Sequence, residues 1–262
     1  MTYASVKNLP ISPRRQLEVK SELLESMKTY SVIRRVLRVV HLAQDPIRGT
    51  RGGEFHKIGV SSITDKIWFV DGSFGEHYFA VGGIGTSYAL GIAKTETEYL
   101  MSNLSNLDRE SGTKIPYDEI LNPGVIYEAA DLLRQKRFDP NMVLTNVKDH
   151  VELWRYPEYG GRGRETHIAV PGHMPLIVDF APEVPEGTSY VMDSRRFGVL
   201  VIKRDLDVFV SEIMEGEKTK LLAELPELRG QPLEEKVRLL IEEVLRIDID
   251  EPSAAIILTK KQ

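Results

Sequence analysis

The side chains that could do chemistry in this chain are carboxylates and imidazoles, since it contains no cysteine. Thiol catalysis, zinc–thiolate sites and disulfides are thereby excluded. The strongest catalytic candidate is Val70-Asp71-Gly72-Ser73, an aspartate at a predicted strand end. Joined in space by Glu96, Glu98, Asp131 or Asp179, Asp71 would bind magnesium as hydrolytic metal sites do. The competing account is structural, because Asp-Gly is also what a hairpin turn uses. The six histidines (His41, His56, His77, His150, His167, His173) show no H-x-x-x-H spacing. Only His167 and His173 are near neighbours, six apart. Gly82-Gly83-Ile84-Gly85 lacks the spacing of a dinucleotide loop, and no lysine follows it as in a phosphate loop. Ser189 and Ser194 lack a nucleophile-elbow setting. No constellation rises above background, so the sequence predicts no enzyme, no cofactor and no small-molecule substrate. The metal-dependent nuclease using Asp71 is kept as the distant alternative.

The elements around these residues say more. The chain has 262 residues, 42% hydrophobic and 28% charged, with a formal net charge of −5, values ordinary for a globular protein. No apolar run approaches the roughly 18 residues that cross a bilayer, and the N-terminus lacks a secretory h-region. The expectation is a protein made in the cytoplasm with no membrane partner. Charge is uneven: residues 1–51 carry Lys7, Arg14, Arg15, Lys20, Lys28, Arg34, Arg35, Arg38, Arg48 and Arg51 against Glu18, Glu22, Glu25 and Asp45. That segment faces either phosphates or the acidic surfaces of neighbouring molecules.

Ser12-Pro13 is a helix-start signal, and Leu17, Leu24 and Met27 then share a face, predicting an amphipathic helix over 13–28. SVIRRVLRVVHLA reads as a strand from its β-branched residues. Residues 44–91 are glycine-rich with interspersed aromatics and predict long β-ribbons with little core of their own. Such ribbons need a partner for their edges and rings, a first sign of assembly. A short helix is predicted over 94–112 and a longer one over 117–137, with Pro123 at a break or first turn. Met142 to Thr145 reads as a buried strand, followed by a helix from DHVELWRY and a loop around Gly160, Gly161 and Gly163. HMPLIVDF, SYVMD and VLVIKRDL read as strands, and LLAELPELRGQP as an insert or loop. Residues 236–250 fit a strand or a helix equally well.

The order of these pieces, VIYEAADLLRQKRFDPNMVLTNVKDHVEL with Asn146, then VPGHMPLIVDFAPEVPEGTSYVMDSRRFGVLVI, then DIDEPSAAIIL with Pro252, Ala254 and Ala255, resembles the major capsid proteins of tailed phages and head-tailed archaeal viruses. It equally resembles the encapsulin nanocompartment proteins, which share the Hong Kong ninety-seven fold. The resemblance covers residues 117–259. It implies an α+β capsid-type fold, with an N-arm, an extended β-ribbon loop, a peripheral domain with a long strand, and a mixed α/β axial domain. The implied boundaries are 1–43 for the basic N-arm and helix, 44–92 for the extended loop, 93–116 with 206–262 for the peripheral domain, and 117–205 for the axial domain. Residues 236–250 then become a long strand. The family also has a long spine helix, for which this sequence offers only 94–112, a truncated spine or a different alignment of the first half.

The resemblance implies a structural subunit whose partners are many copies of itself in a closed icosahedral shell. Arg48, Arg51, Lys57, Trp68, Phe69, Phe74, Tyr78 and Phe79 are the expected subunit interface, the cations meeting acids such as Glu215, Glu217 or Glu234 of a neighbour. Arg14, Arg15, Arg34, Arg35 and Arg38 are the expected interior basic face. Two contents are open. VPEGTSYVMDSRRFGVLVI looks more like viral capsid proteins, implying packaged DNA and a virion. The opening LPISPRRQLEVKSELLESMKTYSVIRRVLRVV looks like an encapsulin start, implying a cargo protein and a cytoplasmic compartment. The viral reading is placed first.

Overall fold

The computed structural model describes residues 4–5, 27, 30–45, 47–48, 53–65, 68–70, 76–78, 84–110, 113–162, 165–171, 174–213, 215–233 and 236–261. In chain order the described elements begin with β1 (Ala4–Ser5), α1 (Val32–Val36), β2 (Arg38–His41), β3 (His56–Asp65), β4 (Trp68–Val70) and β5 (Glu76–Tyr78). Next come α2 (Ile84–Glu110), β6 (Thr113–Tyr117), α3 (Pro123–Gln135), β7 (Met142–Thr145), α4 (Val147–Leu153), β8 (Tyr159–Arg162), β9 (Glu165–Ile168) and β10 (Leu176–Phe180). The last are β11 (Thr188–Met192), α5 (Ser194–Phe197), β12 (Gly198–Glu212), α6 (Lys218–Glu224), β13 (Lys236–Ile249) and β14 (Ala255–Lys260). The architecture is α+β, and it divides into two compact units.

One unit comprises residues 31–55, 93–203 and 245–262. It holds a seven-stranded mixed sheet in the order β6-β14-β11-β7-β10-β9-β8. β7 sits inside the sheet, parallel to β10 and antiparallel to β11, and all four of its residues are buried. A strand covered on both faces reads as a continuous apolar run, which is why MVLT was recognisable. α3 presents Ile126, Ala129, Ala130 and Leu133 to the core. Asn122 caps it through Oδ1, which accepts from the Val125 amide at 3.3 Å, and Pro123 occupies the first turn, where its missing N–H costs nothing. α4 is capped by Asn146, which accepts from the Lys148 amide at 2.8 Å and donates through Nδ2 to the Val184 carbonyl at 2.5 Å.

The other unit comprises residues 1–30, 56–92 and 204–244. Its strands are ordered β1-β12-β13-β3, and β2 pairs with the start of β12, Val199 opposite Arg38, within the first unit. Leu221, Leu228 and Leu233 form a small core with Ile63, Ile213, Leu222 and Leu225 against it. β4 and β5 form a separate two-stranded ribbon, with Trp68 opposite Tyr78 and Val70 opposite Glu76.

Several expectations are corrected. The long helix α2 has 27 residues and starts at Ile84, so it is not the short helix expected over 94–112, and the glycine-rich ribbon segment ends before it. Ile92, Ala93, Glu96, Thr97, Leu100, Met101 and Leu104 are its buried stripe. The start was hidden by Gly85 and Gly91, poor helix formers. Gly91 has a packing reason, since a Cβ there would lie 3.1 Å from Val60. SVIRRVLRVVHLA is not one strand: Ser31 caps α1 by accepting from the Arg34 amide, and only after Leu37 does the chain extend into β2. Tyr117 ends a strand and does not begin α3. Residues 159–162, expected as loop, are edge strand β8, paired antiparallel with β9. LLAELPELRGQP belongs to α6 and a 3-10 turn at Pro226–Leu228. Residues 236–249 are a strand, as the resemblance implied. The predicted helix over 13–28 lies almost wholly outside the described residues.

Candidate functional site

The residues expected to form a surface for other molecules fall into three groups. In the ribbon, Trp68 and Phe69 lie on β4 and Tyr78 on β5, with Trp68 and Tyr78 in register. Phe74 and Phe79 lie outside the described residues, as do Arg51, Arg14, Arg15 and Asp71. A two-stranded ribbon is marginal by itself, so its stability requires something more than its own ladder.

The second group is the start of that ribbon, where internal ion pairs absorb the expected interface cations. Arg48 donates bidentately to Asp250, at 2.8 and 2.9 Å, with Asp248 3.7 Å away. The Asp250 hydrogen bonds raise the Arg48 pKa above its ordinary value, against an opposing effect of burial. Arg246, buried, donates to the carbonyl oxygens of Gly53 (2.9 Å) and Arg48 (2.6 Å) and to the Asp248 carboxylate (2.6 Å). Its guanidinium also lies 4.5 Å from the centre of the Phe55 ring, a cation–π contact. This arginine was not singled out by sequence; in KVRLLIEEVLRIDI it reads as a solvated charge on a strand. Within the other unit Lys57 and Arg204 both pair with Glu242, a buried carboxylate.

The third group is the N-terminal basic segment. Arg34 pairs with Glu96 at 3.0 Å, and Glu96, fully buried, also accepts from Ser31 Oγ. Arg35 chelates Asp179 at 2.7 and 2.8 Å. Arg38 is exposed on β2. The carboxylates that would have joined Asp71 around a metal are therefore dispersed: Glu98 pairs with Lys94 and Asp131 with Arg134. Among the described residues no group of three or more His, Asp or Glu could hold a metal ion. No described helix is long and apolar enough to cross a membrane, which says nothing of a β-barrel.

Sequence reading missed an apolar surface. Val151 and Trp154, one turn apart at the end of α4, are 58% and 60% exposed, and Met174 just before β10 and Ile177 on it are 83% and 50% exposed. The Trp154 ring meets those of His150 and Tyr159, both buried, and the His150 ring packs on the half-buried Phe180.

No family model and no curated protein matches the sequence. Among solved structures, the chain is similar to the crystal structure of a virus-like particle from Pyrococcus furiosus, with 15% identity over 92% of this chain and 98% of that one, at a TM-score of 0.52. It is also similar to the capsid of the cyanophage P-SCSP1u (11% identity, 79% and 73% covered, TM-score 0.47) and to the SrpI encapsulin of Synechococcus elongatus (11%, 78% and 73%, 0.42). The likeness defines a class by fold: this is the Hong Kong ninety-seven fold of phage capsid and encapsulin shells. Within that class, the likeness to the Pyrococcus particle runs over nearly the whole of both chains.

Proposed function

We propose that this protein is a structural subunit that self-assembles into a closed shell and acts by enclosing, not by catalysis. The observation that carries this reading is the near-complete mutual coverage with the Pyrococcus virus-like particle subunit. Function does not follow from fold alone, but a second feature agrees. Among the described residues an aromatic-bearing ribbon forms a separate two-stranded sheet. Shells close by repeating weak interfaces under rotational symmetry, and a separate two-stranded ribbon, marginal by itself, suits one. Trp68, Phe69, Phe74, Tyr78 and Phe79 are the proposed contact residues, with Arg51 and the surface amine of Lys57 at their margin.

The finer reading is a viral or proviral capsid protein enclosing DNA, with Arg14, Arg15 and Arg38 towards the interior. Arg34 and Arg35, held by Glu96 and Asp179, contribute less to that face. The second reading is an encapsulin compartment enclosing a cargo protein, supported by the likeness of the N-terminal segment to an encapsulin start. Negative-stain microscopy of purified protein tests the common part. Uniform hollow particles of roughly 20 nm or more are expected, since a closed shell needs dozens of copies. A clean monomer or dimer would overturn it. Nucleic acid within particles selects the viral reading, and a co-purifying protein of fixed stoichiometry selects the compartment.

A further inference from the structure

His150 sits near the C-terminal end of α4 with only 5% of its surface exposed. Its ring lies 3.9 Å from that of Phe180 on β10, and the rings of Tyr159 on β8 and Trp154 meet it edge-on at 5.5 and 6.3 Å. Nδ1 is 2.9 Å from the Tyr159 hydroxyl, and Nε2 is 3.4 Å from the same oxygen. Both ring nitrogens thus face the same hydroxyl, which can serve only one of them well at a time.

The second proton of a charged ring finds no acceptor of its own among the described residues, only rings and the one Tyr159 hydroxyl that the other nitrogen uses. The charged groups nearby do not compensate. Asp179 on β10 favours the cation, but Arg35 of α1 chelates it with both carboxylate oxygens. On α4 itself Asp149 accepts from the Gly187 amide at 3.0 Å, and Glu152 pairs with Arg155. The helix end favours a cation too, but α4 has only seven residues. Burial dominates and pushes the His150 pKa below its ordinary value, opposed by Asp179.

We propose that His150 is an acid-operated latch: its protonation expels the ring from the Phe180–Tyr159 box and frees the end of α4, with the exposed Trp154, from the β8–β10 side of the sheet. An opened state binds the proton with an ordinary pKa of about 6.5. The closed state is thus fully favoured above that pH and loses ground as pH falls towards the lower closed-state value.

Hydrogen exchange by mass spectrometry on the whole protein tests this. After correction for the intrinsic pH dependence of exchange, the amides of residues 151–162 should exchange faster at pH 5 than at pH 7.5, by up to about thirtyfold, the limit set at pH 5 by an opened-state imidazole of pKa about 6.5. His150→Phe and His150→Gln, which cannot take up the proton, should both abolish the difference. Equal protection of the wild-type chain at both pH values overturns the proposal, as does an undiminished acid response in the variants. Should neither variant fold, imidazole C2–H exchange in the wild-type chain decides. His150 should half-protonate below the ordinary imidazole value of about 6.5, and a midpoint at or above that value overturns the latch.

Discussion

Arg246 illustrates how much a single buried cation can organise. Its guanidinium fork satisfies two main-chain carbonyl groups, those of Arg48 and Gly53, while pairing with Asp248 and lying against Phe55. A lysine keeps the charge but has no planar fork with which to serve three acceptors at once. Removing one partner of a buried ion pair is costly because the other is left desolvated. Arg246→Ala should therefore destabilise the unassembled chain by about 3–5 kcal/mol, with Arg246→Lys intermediate, read from chemical denaturation. Backbone space gives a sharper contrast between two glycines. A Cβ at Gly198 would lie 2.5 Å from the Asp248 carbonyl oxygen, whereas at Gly160 it would meet nothing within 4 Å. Neither position requires left-handed backbone, so only space distinguishes them. Gly198→Ala should cost about 1–3 kcal/mol, and Gly160→Ala should stay within about 0.5 kcal/mol of wild type. Equal effects of the two substitutions would contradict the described approach of the two strands.

At the scale of elements, capping side chains are worth unequal amounts for reasons visible in their second bonds. Asn122 caps α3 by accepting from the Val125 amide, and its Nδ2 makes only a long 3.4 Å bond to the part-buried carbonyl of Ile120. Asn146 caps α4 and also ties the buried Val184 carbonyl to the helix start. Asn122→Ala should cost about 1 kcal/mol, a typical cap. Asn146→Ala should cost roughly 1–3 kcal/mol more, because it strands a buried acceptor; thermal melts of the two variants compare them directly. The same elements show what the sequence made readable. α3, β7 and α4 were legible because their caps, proline and apolar runs agree with one another. β13 was ambiguous because Leu245, Arg246 and Ile247 are all buried: a strand covered on both faces carries apolar residues at consecutive positions, so a period of two and one of 3.6 both fit. The start of α2 was illegible because its glycines argue locally against a helix that tertiary packing at Val60 permits. α1 was misread because Ser31 caps a run of β-branched residues whose local preference is extended. Of the candidate surface, the aromatic-bearing ribbon was legible from composition. The internal destinations of Arg34, Arg35 and Arg48 were not, since their acidic partners lie 62, 144 and 202 residues away in sequence.

Across the whole molecule, the ribbon is the feature whose function should separate from folding. Among the described residues β4 and β5 pair with each other and belong to neither multi-stranded sheet. A substitution at Trp68 should therefore leave the subunit's melting unchanged while weakening contacts between copies. An aromatic anchor lost from an interface costs about 2 kcal/mol, close to thirtyfold in affinity. In a shell each subunit repeats the same contact, so the loss acts on every interface and raises the concentration at which particles form. Trp68→Ala should raise that threshold by about thirtyfold, measured by light scattering across a dilution series with microscopy at each point. The monomer's circular dichroism and melting should match wild type. Particles forming at the wild-type threshold would remove the ribbon from the interface, and a chain that no longer folds would place Trp68 in the core instead.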